Sequence, residues 1–237
     1  MQLGRRRELP LPQSLAEGLR AAADHRGHRP AVTVLRDDRR EEQGFASLAQ
    51  WAAKGAHLLE VDFHLGPGER LAVSGPPGWM PAAVCLAAWW IGAEVTSEVP
   101  GATSAVLHES WEGDAASEAL WFGDAVDGSP TDGQLEPAYP VEVQAFPDQP
   151  PIPRARPDLP ALATPARRFT QEELIEEAAT RWDRDQVLGL DLATDPDPLL
   201  WMIAVAARPA VTGLATVVVA GPDRSAADAE RVGVWAD

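Results

Sequence analysis

A chain of 237 residues with 45% hydrophobic residues carries enough apolar material for one large domain or two small lobes, which excludes global disorder. Its formal charge of −16 and pI near 4.6 repel nucleic acid and anionic membrane surfaces at long range. The single cysteine, Cys85, rules out an intrachain disulfide, and of the 20 basic residues only Lys54 is a lysine.

Cys85 lies within AAVCLAAWW and reads as a buried small hydrophobe, which points to a reducing compartment. Arg5, Arg6 and Arg7 are followed by Glu8, Pro10 and Pro12, where a signal peptide needs a continuous apolar region. The longest strongly apolar run, 81–93, is too short to span a bilayer. A soluble, cytoplasmic protein is the expectation, with no nucleic acid and no membrane among its partners.

In chain order, Leu15, Leu19, Ala22 and Ala23 fall at helical spacing and Gly27 is placed to end that helix. Ala31 to Leu35 reads as a strand, and DDRREEQG as a charged turn. Phe45, Leu48, Ala52, Ala56 and Leu59 then mark one face of a second helix. Leu65-Gly66-Pro67-Gly68 turns the chain into a strand at Leu71 to Ser74. A helix from Trp79 to Ile91 follows, closed by Gly92 before another short strand. Such alternation predicts an α/β fold with a mostly parallel sheet flanked by helices.

The pattern weakens after Asp124, where ten of the 22 prolines fall between Pro130 and Pro165. Proline removes backbone donors and restricts the residue before it, so a long surface connection is expected, with a short strand at Tyr139 to Ala145. Thr170 and Glu173 form a capping-box pattern ahead of Leu174, Ala178 and Trp182. Gln186 to Leu190 and Leu214 to Ala220 read as buried strands with a helix, Leu199 to Ala207, between them. The expected organisation is an N-terminal α/β lobe (1–123), a Pro-rich connection (124–165) and a second α/β segment of the same domain (166–237).

Few residues qualify for chemistry. A phosphate cradle works through successive backbone N–H groups, and Gly75-Pro76-Pro77-Gly78 lacks two of them and has no lysine after it, so a tight strand-to-helix turn is the better reading. His25 and His28 sit three apart while His57, His64 and His108 are scattered, which does not make a metal site. Asp191, Asp195 and Asp197 are a conceivable carboxylate cluster, but Asp197 before Pro198 reads better as a helix cap. Trp79, Trp89, Trp90, Trp182 and Trp201 sit on helical faces and are assigned to packing.

The segments RPAVTVL (29–35), FASLAQWAAKGAHLL (45–59) and LGPGERLAVSGPPGWMPAAVCLAAWWIGAEV (65–95) resemble the start of the adenylate-forming superfamily, which includes acyl-CoA synthetases. Phe45, Gly68-Glu69 and Gly92-Ala93 take the places of that family's helix-initiating aromatic, Gly-Asp turn and Gly-Ala pair. RRFTQEELIEEA is similar to the helix after the family's phosphate loop, and GLATVVVAGP to a later strand. Within the superfamily the chain most resembles an uncharacterised actinobacterial AMP-binding-like family. The resemblance implies a truncated acyl-CoA synthetase-like N-terminal domain covering less than half of a full-length enzyme.

In that family a Ser/Thr/Gly-rich loop closed by Pro-Lys-Gly holds the ATP phosphates. Here LPALATPARRFTQEELIEEA stands in its place, with Ala161 to Thr164 as the strand and Pro165-Ala166-Arg167-Arg168 joining directly to the next helix. Arg167 and Arg168 offer charge without a cradle, and Lys54 lies in an early helix whose matching position in the family is not catalytic. The family's mobile C-terminal domain, which bears its lysine, is expected to lie beyond Asp237. No catalytic residue, metal ligand or cofactor is therefore assigned, and cofactor-binding residues stay unknown. The expectation is a degenerate, non-catalytic binding or regulatory module. A residual acyl- or nucleotide-binding protein, or a ligase completed by another chain, is the open alternative. A homodimer or a partner protein is expected to cover an apolar face near Leu199 to Val219.

Overall fold

A computed structural model describes residues 10–36, 39–108, 118–122, 138–165, 167–194, 197–221 and 224–236. Two sheets share one core. Sheet A runs β11(Val232–Ala236), β9(Val187–Asp191), β10(Thr216–Val219), β1(Pro30–Arg36), β2(Arg39–Gly44). Sheet B runs β6(Ala119–Phe122), β5(Ser104–His108), β3(Arg70–Ser74), β4(Glu94–Thr96), β7(Pro160–Ala163), β8(Arg168–Thr170). All pairings are parallel except β1 with β2 and β7 with β8, which close one edge of each sheet.

The helices pack on each other and on the sheets. α1(Leu15–Arg26) is capped by Ser14, whose hydroxyl accepts from the Glu17 amide at 3.2 Å, and it ends at Gly27 with φ 59°. α2(Phe45–Val61) lies along α3(Trp79–Ile91), and every residue of α3 is buried. A helix apolar on all sides must be covered on all sides, and α3 touches β3 and β4 of one sheet and β1 of the other. Gly92 closes it in the left-handed region at φ 82°.

Strand alternation divides the side chains cleanly. Val34, Val218, Leu71 and Val73 face the shared core, while Leu35, Val217 and Val219 form a cluster on the other face of sheet A, and Ala72, Ala105 and Leu107 one on the other face of sheet B.

Four expectations need correction. Of the charged segment DDRREEQG, Asp37 and Asp38 lie outside the described residues, and residues 39–44 are not a turn but β2, a charged edge strand paired antiparallel with the apolar β1. Tyr139 to Ala145 is not a strand: α4(Tyr139–Glu142) and a 3-10 turn (Val143–Ala145) occupy it, with Pro140 suited to a first helical turn. The segment before α5(Gln171–Thr180) does not run straight into the helix, since β8 intervenes. The helix expected at Leu199 to Ala207 is longer, built from α6(Pro198–Trp201), a π-helical stretch (Met202–Ala207) and α7(Arg208–Thr212).

That last rod carries a further consequence. Met202 to Val211 is buried throughout and packs against α1, α3 and α5, so the 199–219 segment is interior and supplies no exposed apolar face. Thr170 and Glu173 form the expected capping box, and Asp197 caps α6 by accepting from the Leu199 amide at 2.7 Å. Among the described residues, no helix is long and apolar enough to cross a membrane.

Candidate functional site

In an open α/β sheet, ligands are held outside the carboxyl ends of the strands. At that edge of sheet B, the described residues place the 75–78 loop after β3, the 97–103 loop after β4 and the 164–167 turn between β7 and β8. The 75–78 loop enters α3 with Gly78 at φ −174°, extended backbone open to any residue, so its glycines are not held there by a left-handed conformation. The two prolines remove the donors a phosphate would need.

The 164–167 turn is closed on itself. The Thr164 amide donates to the Arg167 carbonyl at 2.8 Å, and the Arg167 amide donates to Thr164 Oγ1 at 3.2 Å. Pro165 has no amide to offer. A phosphate cradle requires outward-facing amides, and this turn spends those of Thr164 and Arg167 internally. The described residues of this turn do not fit an ATP phosphate chain.

Both arginines beside it are engaged within the chain. Arg167 stacks its guanidinium 4.0 Å from the Phe169 ring centroid and lies 3.7 Å from Glu177. Arg168 donates from Nε to Glu94 Oε1 at 2.5 Å and from Nη2 to Oε2 at 3.1 Å. Arg70 reaches the same carboxylate at 3.0 Å. Glu94 is only 4% exposed, so two cations answer one buried anion. Sequence reasoning missed Glu94, although a lone charge between apolar residues after Gly92-Ala93 is the signal that marks it.

Lys54 is also committed, donating to the Phe146 carbonyl at 2.7 Å and pairing with Asp148 at 3.2 Å. His57 Nε2 lies 2.8 Å from the Gln149 carbonyl oxygen, His25 and His28 are exposed around the end of α1, and His64 sits in a loop at φ 52°. The His108 side chain and Asp195 lie outside the described residues. Among those described, no group of three His, Cys, Asp or Glu residues is placed to hold a metal. Cys85 is fully buried, and burial pushes its thiol well above the ordinary range, as expected for an inert packing residue.

Trp79, Trp89, Trp90 and Trp201 are buried, and the Trp89 and Trp90 ring N–H groups donate to the carbonyls of Ala161 (2.6 Å) and Pro151 (2.9 Å). Trp182 is half-buried just past the end of α5. Arg208, buried between α7 and β9, gives Nη2 to the carbonyls of Gln186 at 2.6 Å and Asp183 at 3.0 Å, and its desolvation lowers its pKa to about 10. It ties backbone together and presents nothing to solvent.

The architecture matches known proteins closely. A long-chain-fatty-acid-CoA ligase from Archaeoglobus fulgidus superposes with a TM-score of 0.70 at 15% identity, over 92% of this chain and 49% of that one. An acyl-CoA synthetase of Brucella canis gives 0.71 at 15% identity, over 97% and 47%. The N-terminal domain of FACL13 from Mycobacterium tuberculosis gives 0.69 at 15% identity, over 94% and 62%. The chain has the N-terminal fold of the acyl-CoA synthetases.

At these identities the likeness establishes fold alone, and the chain spans about half the length of the two full synthetases. A curated Mycobacterium tuberculosis protein whose name gives only a family number is 40% identical over 67 residues, 27% of this chain and 28% of that protein. No family model matches the chain.

Proposed function

We propose that this chain is a non-adenylating version of the acyl-CoA synthetase N-terminal fold, acting as a cytoplasmic binding or regulatory module. One observation carries the reading: where the fold's relatives by resemblance hold phosphate, this chain has a self-closed turn, and its two adjacent arginines are bound to Glu177 and Glu94. Adenylation needs a charge clamp, outward backbone donors and a positioned carboxylic acid. Buried Cys85 supports the cytoplasmic part of the reading. A partner remains part of it too, but through a surface other than the interior 199–219 segment.

The shared synthetase N-terminal fold supports a second reading, a residual acyl- or nucleotide-binding protein or a ligase completed by another chain. Titration calorimetry of the purified chain with ATP, AMP and an acyl-CoA separates the two. The first reading expects no heat with ATP or AMP. Saturable ATP binding, weakened by Arg168→Ala, favours the second.

A further inference from the structure

The described surface has few large exposed hydrophobic side chains: Leu11, Val61, Val141 and Ile152. Two of these, Val61 at 54% and Val141 at 55% exposure, directly precede Asp62 and Glu142 in the chain. Asp62 and Glu142 line a groove of about 450 Å³ between the end of α2, the start of β6 and α4. Its floor is apolar, with Leu58 and Leu120 buried and Phe63 half-buried. Its rim is the exposed carboxylates of Asp62, Glu118 and Glu142, with no basic side chain lining it among the described residues.

The Ser104 hydroxyl touches Glu118 at 3.5 Å, while Asp62 and Glu142 have no ion-pair partner among the described residues. The carbonyl end of the 17-residue helix α2, whose last turn carries no basic residue, adds partial charge of the same sign. An apolar floor of this volume takes large side chains, and a rim of one sign selects cations.

We propose that this groove docks a basic, apolar peptide segment of a partner protein, with leucine-like side chains on Leu58, Phe63 and Leu120 and flanking lysine or arginine against Asp62 and Glu142. Val61 and Val141, exposed and each next in the chain to a lining carboxylate, are within reach of a segment longer than the groove, which suits a peptide better than a small cation. The inference deepens the reading of the chain as a binding module and rests on it only in naming that module's partner.

Fluorescence anisotropy of the full chain with a fluorescein-labelled KLLKLLK peptide at low salt tests it. The expected result is saturable one-to-one binding, absent for ELLELLE. Affinity falls at least tenfold in Asp62→Asn/Glu142→Gln and at least fivefold in Val61→Ser/Val141→Ser, two independent pairs at exposed positions. Glu172→Gln/Glu176→Gln leaves it unchanged, because α5 packs on β7 and β8, across sheet B from β6. An equal loss in the α5 variant, undiminished binding in either groove variant, or binding of dodecylamine without binding of the peptide overturns the proposal. Absence of peptide binding removes the groove and leaves the non-adenylating reading standing, whereas pyrophosphate release from ATP does the reverse.

Discussion

Arg168 and Glu94 form a two-point ion pair across sheet B, Nε to Oε1 at 2.5 Å and Nη2 to Oε2 at 3.1 Å, with the carboxylate almost wholly buried. The pair joins the start of β8 to the start of β4, so the arginine that sequence alone offers to a phosphate is spent on holding an edge strand to its sheet. A ligand that recruited Arg168 would leave Glu94 with Arg70 alone.

Glu94→Gln therefore tests a structural role. Losing the charge from a buried site with two cationic partners costs about 1–3 kcal/mol, toward the lower end because both arginines are part-exposed. Urea melts should show the midpoint falling with an unchanged slope. The freed Arg168 should bring no ATP affinity, and a variant that gained it would show that only the ion pair had been blocking the site.

Gly55 and Tyr139 make a second test. A Cβ on Gly55 would lie 2.5 Å from the Tyr139 hydroxyl and 3.0 Å from the Ala87 Cβ, at the crossing of α2 and α3. Tyr139 is fully buried against Phe122, with ring centroids 5.9 Å apart, and has little room to withdraw. Gly55→Ala should destabilise by about 1–3 kcal/mol through overpacking. The Tyr139 hydroxyl has no hydrogen-bond partner among the described residues, so Tyr139→Phe should be neutral or stabilising by up to about 1 kcal/mol, and should partly rescue Gly55→Ala. Thermal melts of the two single variants and the double decide it.

Much of this architecture was legible in the sequence because local chemistry and tertiary fold agree there. The helix ends at Gly27 and Gly92, the Thr170–Glu173 box and the Asp197 cap are local hydrogen-bond devices, readable from a few residues. The resemblance to acyl-CoA synthetases, carried by segments from 29 to 95, agrees with the fold comparison. What escaped depended on partners far along the chain. Residues 39–44 look like a turn because an edge strand needs no apolar face, and only pairing with β1 makes them β2. Arg167 and Arg168 look available until Glu177 and Glu94 are placed beside them. The 199–219 run looks like a spare apolar face because its cover comes from α1, α3 and α5.

Cys85 sets an alkaline limit. Burial holds its thiol protonated in the folded chain, well above the ordinary value, whereas the unfolded thiol ionises near pH 8.5. The unfolded state then binds fewer protons, so stability present below about pH 8.5 should decline by about 1.4 kcal/mol per pH unit above it. Denaturant melts at pH 7.5, 8.5 and 9.5 should show the decline, and Cys85→Ala should remove most of it while lowering stability at every pH. A wild-type curve flat to pH 9.5 would mean that the thiol is not desolvated as its burial requires.

The non-adenylating reading is tested by pyrophosphate release from ATP and Mg²⁺ by the purified chain, measured across a panel of short-, medium- and long-chain and aromatic carboxylic acids. The purified chain should show no acid-dependent release above the protein-free rate and no acyl-adenylate by mass spectrometry. Acid-dependent release that persists through repeated purification and is abolished by Arg167→Ala/Arg168→Ala would contradict it.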